Sequence, residues 1–204
     1  MENYTIRKAT SGDVARIVAS MTSAFELDPF VSWLVRKDKH KKKGIEELFK
    51  AALNVLTLPF NEVITINDGV GAILWIPRKN VKATVGQYLR LLFPIIRIAG
   101  ISGVPRVVKC LDVLEKSHPM DKDHLYLFFV GVDKNHQKQG LASAMLKQSL
   151  EKCDREGLGA YLENTNPANT PLYESFGFKA IGDLIVGEGA PKLVAMWREP
   201  QKVN

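Results

Sequence analysis
The sequence predicts a single α/β domain built on a mixed, mostly antiparallel sheet of about six to seven strands, flanked by helices, with a helical insertion before the central strand. Three observations predict it. Leu125 to Val132 is an unbroken apolar and aromatic run, the pattern of a strand covered on both faces. Amphipathic helical stretches alternate with short strand-like runs on either side of it. No internal repeat, low-complexity tract or linker divides the 204 residues, so 1–204 reads as one domain.

Tyr4 to Ala9 reads as a strand, and Thr10-x-x-Asp13 as the capping box of a helix with Val14, Ile17, Val18, Met21 and Phe25 on one face. Asp28-Pro29 breaks that helix. A second helical stretch runs from Val31 to Leu58, bent at the lysine-rich Lys37 to Lys43 with Gly44 and closed by Pro59. Glu62 to Ile66 and Val70 to Ile76 form a hairpin about the Asn67-Asp68-Gly69 turn signal. The insertion, 79–118, is helical in pattern but punctuated by Pro94, Gly100, Gly103 and Pro105, which predict two or three helices.

After the central strand, a helix from Gly140 to Glu156 carries Ala142, Met145, Leu146, Ser149, Leu150 and Cys153 on one stripe and stops at Gly157, which makes Cys153 a core residue. A strand (Gly159 to Glu163), a short helix with Pro171 in its first turn (Thr170 to Phe176) and two closing strands (Phe178 to Val186, Lys192 to Arg198) complete the order.

Composition excludes a disordered, collagenous or disulfide-stapled chain, since 46% of residues are hydrophobic and 25% charged. A net charge of +6 favours anionic ligands without choosing among them. Cys110 and Cys153 stand far apart with no metal-ligand spacing, so neither a disulfide nor a metal site is expected, and a reducing cytoplasm is the default setting. Met1 to Ala15 lacks the pattern of a signal peptide, and Arg90 and Arg97 argue against a bilayer span in the insertion, so no membrane role is expected. The basic run Arg36 to Lys43 reads as a solvated bend. No aromatic interleaving or recognition helix accompanies it, and no nucleic-acid partner is expected.

Gln137-Lys138-Gln139-Gly140-Leu141-Ala142 lies at the junction between the central strand and its helix. Unpaired N–H groups and the positive end of the helix dipole meet there, and small side chains at 140 and 142 leave the backbone approachable by a pyrophosphate. The pattern is neither a Walker loop nor the dinucleotide Gly-x-Gly-x-x-Gly. Taken alone, it reads more readily as a plain helix start.

Val130-Gly131-Val132-Asp133 followed by Gln137 to Ala142 resembles the acetyl-CoA motif of the GNAT superfamily of N-acetyltransferases, with Ala142 where many members carry a second glycine. Leu162-Glu163-Asn164, Asn169, Pro171 to Glu174 and Phe176-Gly177-Phe178 are similar to the family's second conserved block. The order of elements resembles the family over the whole chain, while these motifs occupy Val130 to Phe178. Ala72 to Pro77, the insertion and His124 to Leu127 further resemble the branch of puromycin-type antibiotic acetyltransferases.

The resemblance implies a GNAT-like fold and acetyl-CoA held by Phe129, Val130, Gly131, Val132, Gln137, Lys138, Gln139, Gly140, Leu141, Ala142, Ser143, Asn169 and Tyr173. It implies acetyl transfer to a primary amine of a small molecule by direct attack through a tetrahedral intermediate, in a monomer or homodimer. Protein N-termini or lysines are the alternative acceptors, and a non-catalytic acyl-CoA-binding module is the alternative of a different kind.

Among the roles implied, a main-chain N–H of Phe129 to Val132 polarises the thioester, with Gly131 easing a bulge. Tyr173 matches the family's general acid; the alternative is a packing residue. Asn169 either caps the short helix or meets the pantetheine arm. Glu163 is the first candidate base, with Glu26 and His118 beside the acceptor entrance; surface charge or a satisfied histidine is the plainer reading of each. The first two helices, the insertion and the last hairpin loop should build the acceptor pocket, with Phe25, Phe30, Trp33, Trp75 and Tyr88 as candidate lining and core packing as their alternative.

Overall fold
A computed structural model describes residues 4–202, leaving Met1 to Asn3 of the segment read for a signal outside the described residues. Seven strands make one sheet: β1 (Ile6–Lys8), β2 (Val63–Ile66), β3 (Gly71–Pro77), β4 (His124–Val132), β5 (Gly159–Asn164), β6 (Lys179–Leu184) and β7 (Leu193–Arg198), in the order β1-β2-β3-β4-β5-β7-β6. Every neighbouring pair is antiparallel except β4 and β5, which run parallel. The α-helices are α1 (Val14–Phe25), α2 (Pro29–Leu34), α3 (Lys41–Ala51), α4 (Val85–Ala99), α5 (Val104–Lys116), α6 (Leu141–Glu156) and α7 (Thr170–Ser175). This is the mixed sheet and helical insertion that the residue pattern predicts.

Strand alternation sorts the side chains onto two helical layers. Ala72 and Leu74 of β3 pack with α1, α3 and the insertion helices. Ile73 and Trp75 pack on the other face with Met145, Leu146 and Leu150 of α6. The alternation slips once in β4. Leu74 pairs with Phe129 but Trp75 with Leu127, so Phe128 is an extra residue, a β-bulge. Phe128 and Phe129 therefore face the same layer, with ring centroids 4.5 Å apart.

The bulge falls at Phe128 and not at Gly131. Gly131 answers a different need: a Cβ there would lie 2.8 Å from Met21 Sδ and 2.9 Å from Phe25 Cε2, so its absence lets α1 lie directly on β4. The ladder between β4 and β5 spans only His124 to Leu127 on β4. Beyond it β5 continues beside β7, through Glu163 and Asn164. The two central strands part, and those amides of Phe128 to Val132 that face this edge have no strand partner, while the alternate ones stay with β3.

Three expectations about helices need correction. Only the first half of the lysine-rich run is the bend: the break lies at Val35 to His40, where Arg36 binds Asp38 at 2.6 Å, and Lys41 to Gly44 form the first turn of α3. Pro59 does not close the stretch, because a π-helical segment (Ala52–Thr57) leads into a 3-10 turn, Leu58–Phe60, that contains it. Pro94 does not interrupt α4, since the carbonyl it deprives of a donor belongs to the exposed Arg90. Gly100 and Gly103 do the breaking, and the insertion is two helices bent by 112°. Among the described residues no single helix is long and apolar enough to cross a membrane.

The far end of α6 is tied to the sheet by a buried ion pair. Arg198 of β7 grips both carboxylate oxygens of Asp154 at 2.7 and 2.8 Å, while its Nε donates to the Phe176 carbonyl at 2.7 Å. Arg198 Nη1 and the Gln201 amide share Asp154 Oδ1. Removing Arg198 strands a shielded carboxylate, so Arg198→Ala is expected to cost about 3 kcal/mol and lower the melting temperature by about 6–12 °C. Thermal unfolding followed by circular dichroism checks this; a fall of under about 2 °C would show the pair to be dispensable.

Candidate active site
The start of α6 opens on a cleft. Gly140 takes φ +74°, a conformation glycine adopts without strain, and turns the chain into the helix. No side chain caps that turn, so the first amides of α6, Leu141 to Ser143, carry no capping acceptor. A Cβ at Gly140 would meet nothing within 4 Å, which means the space over the helix end is open. Behind it, the Gln137 side-chain amide donates to the Val132 carbonyl at 3.1 Å and fixes the loop to β4. His136, Lys138, Val130 to Val132 and Gly140 to Ser143 form one side of the cleft; Asn169, Leu172 and Tyr173 form the other. Bare donors, a dipole and two basic side chains are the elements of a phosphate site.

Where β4 and β5 part, a second, smaller pocket lies between them. Phe128 to Val130 come from β4, Leu162 to Asn164 from β5, and Asp28, Asn169 and Tyr173 close it from the side. Phe25, Asp28, Val130, Asn169 and Tyr173 line both spaces, so the cleft and the pocket meet at these residues.

Tyr173 is buried, 7% exposed, with its ring edge-on to Phe178. Desolvation, and secondly the nearby Asp28 carboxylate, push its hydroxyl up to about 12, so it is fully protonated at neutral pH. Asn169 stands at the cap position of α7 but makes no capping hydrogen bond, so its side chain is spent on neither helix end nor neighbour there.

Glu163 sits on the opposite wall of the wedge pocket. Its Oε1 is shut off from solvent and has no hydrogen-bond partner. Burial pushes the carboxyl up to about 7, opposed by the Tyr126 and Tyr161 hydroxyls beside it. Tyr126 and Tyr161 are paired across the parallel ladder, which is why their rings stand together, 5.9 Å apart.

The structure thus gathers Phe129, Val130, Gly131, Val132, Gln137, Lys138, Gly140 to Ser143, Asn169, Tyr173, Glu163, Phe25 and Phe30 around connected spaces. Gln139 is exposed and does not line them. Trp75 does not reach a pocket; it is fully buried against α6, because β3 alternation points it away from the insertion. Trp33 is also core, its indole N–H bonded to the Glu188 carbonyl at 3.1 Å and its ring under Arg106. Tyr88 stands half-exposed at the rim of a larger apolar cavity under the insertion, donating to Glu115 Oε2 at 3.4 Å. Glu26 is not at the acceptor side: it meets Lys134, 3.6 Å away, near the α6 loop. His118 is not at an entrance but in the wall of that cavity, its Nδ1–H donating to the Leu114 carbonyl at 2.7 Å, with burial lowering the ring to about 4.

Asp28 is the site residue that the sequence reading passed over. Its carboxylate caps α2 by accepting from the Val31 amide at 2.8 Å, and it faces both the cleft and the wedge pocket. Burial raises its pKa, partly offset by the Val31 and Phe30 amides. An Asp-Pro pair before a helix carries the signal, as an N-cap followed by proline at the first helical position, and not merely as a helix break.

Residues 98–178 match the acetyltransferase (GNAT) family. An uncharacterized N-acetyltransferase of Schizosaccharomyces pombe is 35% identical over 92 residues, 44% of this chain and 36% of that protein, so the match spans about a third of the relative's length. A crystal structure from Corynebacterium glutamicum, described as histone acetyltransferase HPA2 and related acetyltransferase, superposes with a TM-score of 0.72 at 21% identity, covering 98% of each chain. Arylalkylamine N-acetyltransferase 2 of Aedes aegypti gives 0.68 at 16% identity, covering 98% of this chain and 100% of that one. These structures share the fold.

Between the ordinary carboxyl value and about 7, the folded chain binds a proton at Glu163 that the unfolded chain releases, so this residue costs stability as pH rises through that window and costs it fully above. Glu163→Gln removes the cost. The variant's melting temperature should gain on wild type between pH 5 and pH 8; a gap that stays constant across those values would show that Glu163 titrates normally.

Proposed function
We propose that the chain is an acetyltransferase of the GNAT superfamily that transfers an acetyl group from acetyl-CoA to the primary amine of a small molecule, a reading supported by the family match over residues 98–178. The observation that carries this reading is the shared wall. Tyr173 and Asn169 border both the uncapped end of α6 and the wedge pocket that holds Glu163, so a phosphate-bearing donor in one space presents its far end in the other.

On this reading the amides of Leu141 to Ser143, helped by Lys138 and the Gln137 to Ala142 loop, hold the pyrophosphate. The amides of β4 that lost their partner beyond Leu127 offer hydrogen bonds to the arm and to the thioester carbonyl, and Asn169 adds a side-chain donor and acceptor. Acetyl-CoA supplies the acetyl group as an activated thioester. Tyr173 keeps a proton on its hydroxyl for the departing sulfur. The two thiols of this chain show what dry surroundings do to sulfur: burial raises Cys110 and Cys153 to about 12, level with Tyr173. A thiolate released into the same dryness is therefore a fit acceptor for a phenolic proton.

The amine arrives mostly protonated, since an alkylammonium has a pKa of about 10.4. Glu163 is placed to take its proton: a carboxyl raised to about 7 is partly ionised at neutral pH and basic enough to serve. Phe25, Phe30, Phe128 and Phe129 surround the meeting point and exclude water.

Following free thiol at saturating acetyl-CoA tests the reading. Wild type should release thiol only when a primary amine is present, and Tyr173→Phe should lower kcat about a hundredfold or more while acetyl-CoA binds within about twofold of wild type. Equal turnover in the two forms would remove the proton from Tyr173. Thiol release with no primary amine tried, from a protein that also fails to bind acetyl-CoA, would contradict the proposed activity.

A further inference from the structure
The wedge pocket opens into a larger cavity under the insertion, and the two share Phe30, Leu114, Tyr126, Phe128 and Phe129. The cavity, about 130 Å³, lies between the end of α3 with its π-helical continuation and helices α4 and α5. Its wall is almost wholly aliphatic and aromatic. Polar side chains come from Asn80, Tyr88, Cys110, Glu115, His118 and Tyr126 among its lining residues, and Tyr88 and Glu115 bind each other at the half-exposed rim.

We infer, building on the acetyl-transfer reading, that the acceptor is a monoamine whose nitrogen is carried on an apolar body about the size of one aromatic ring, with that body seated in the cavity between α3, α4 and α5. Size supports it: an engineered apolar cavity of about 150 Å³ lined by Leu, Ile and Phe takes benzene. Chemistry supports it too. A polyamine or amino sugar would bury several cationic or hydroxyl groups against Ala52, Leu91, Ile95 and Leu111, which offer no hydrogen bonds, and each unpaired group costs free energy. A lysine side chain of a protein would leave the cavity empty or thread a peptide into it.

The position of the bulge explains how one ligand reaches both spaces. Phe128 and Phe129 lie side by side on the insertion face and border the two spaces together. An amine on a short linker from a ring in the cavity therefore arrives beside Glu163, at the edge of the wedge where Tyr173 stands. The insertion is held in place to form this wall: the Gln87 side chain donates to the Val55 carbonyl at 3.0 Å, and Arg106 to the Leu34 and Val35 carbonyls at 3.1 and 3.2 Å.

The test compares 2-phenylethylamine, ethanolamine, spermidine and a lysine-containing tetrapeptide by thiol release at saturating acetyl-CoA, beside melting curves with and without acetyl-CoA. The expected kcat/KM for 2-phenylethylamine exceeds each of the others at least tenfold, the worth of burying one ring. Ile95→Trp fills the cavity and should raise KM for 2-phenylethylamine at least tenfold, while acetyl-CoA still raises the variant's melting temperature. Binding of acetyl-CoA with ethanolamine, spermidine or the peptide matching or exceeding 2-phenylethylamine overturns the acceptor inference alone. No stabilisation by acetyl-CoA and no thiol release with any amine overturns the acetyl-transfer reading, and this inference with it.

Discussion
The parting of β4 from β5 after Leu127 is the constraint on which the site depends. A parallel ladder that continued would consume the amides of β4 that face β5 beyond Leu127 and fill the space between the strands. Instead β5 turns to β7, and β4 stays with β3 through a bulge at Phe128. The bulge sets two phenylalanines on one face, and Gly131 lets α1 lie close enough to cover them; Phe25, Phe49 and Phe129 then pack with centroids 5.1 to 5.5 Å apart. One irregularity in one strand thus yields unpaired backbone donors, an aromatic lining and a way through to the insertion.

Burial organises the chemistry around that opening. Glu163 and Tyr173 lie on opposite walls, and the same exclusion of water acts on both, lifting the carboxyl to about 7 and the phenol to about 12. Their values stay well apart, so at neutral pH the phenol keeps its proton while the carboxyl is partly ionised. Asp28 belongs to the same arrangement. Its negative charge beside Tyr173 favours the neutral phenol, and the helix it caps, α2, brings Phe30 to the boundary between the two spaces.

Periodicity made much of the fold legible. The Thr10–Asp13 capping box, the stripe of α6 ending at Gly157, and the Asn67 to Gly69 turn all depend on contacts within a few residues, so local sequence records them. The turn from Gln137 to Ala142 was legible for the same reason, although Gly140 matters there through its φ and the open space above it. Trp33 and Trp75 were misplaced because an aromatic residue looks alike in a pocket and in a core, and only helix packing for the one and strand register for the other decide between them. The bulge at Phe128 is a property of pairing between distant strands and leaves no mark in Leu125 to Val132 itself. Tyr126 and Tyr161 came together beside Glu163 through the parallel pairing of β4 and β5, a contact that no local pattern encodes.

The account rests on two sets of main-chain amides, in β4 beyond Leu127 and at the start of α6, binding one ligand. The most direct measurement is a titration of the ¹⁵N-labelled protein with coenzyme A, read as amide chemical shifts. The predicted result is that the largest changes fall on Phe128 to Val132 and Leu141 to Ser143 together, and saturate together. Saturating coenzyme A that leaves either set unmoved would contradict the account.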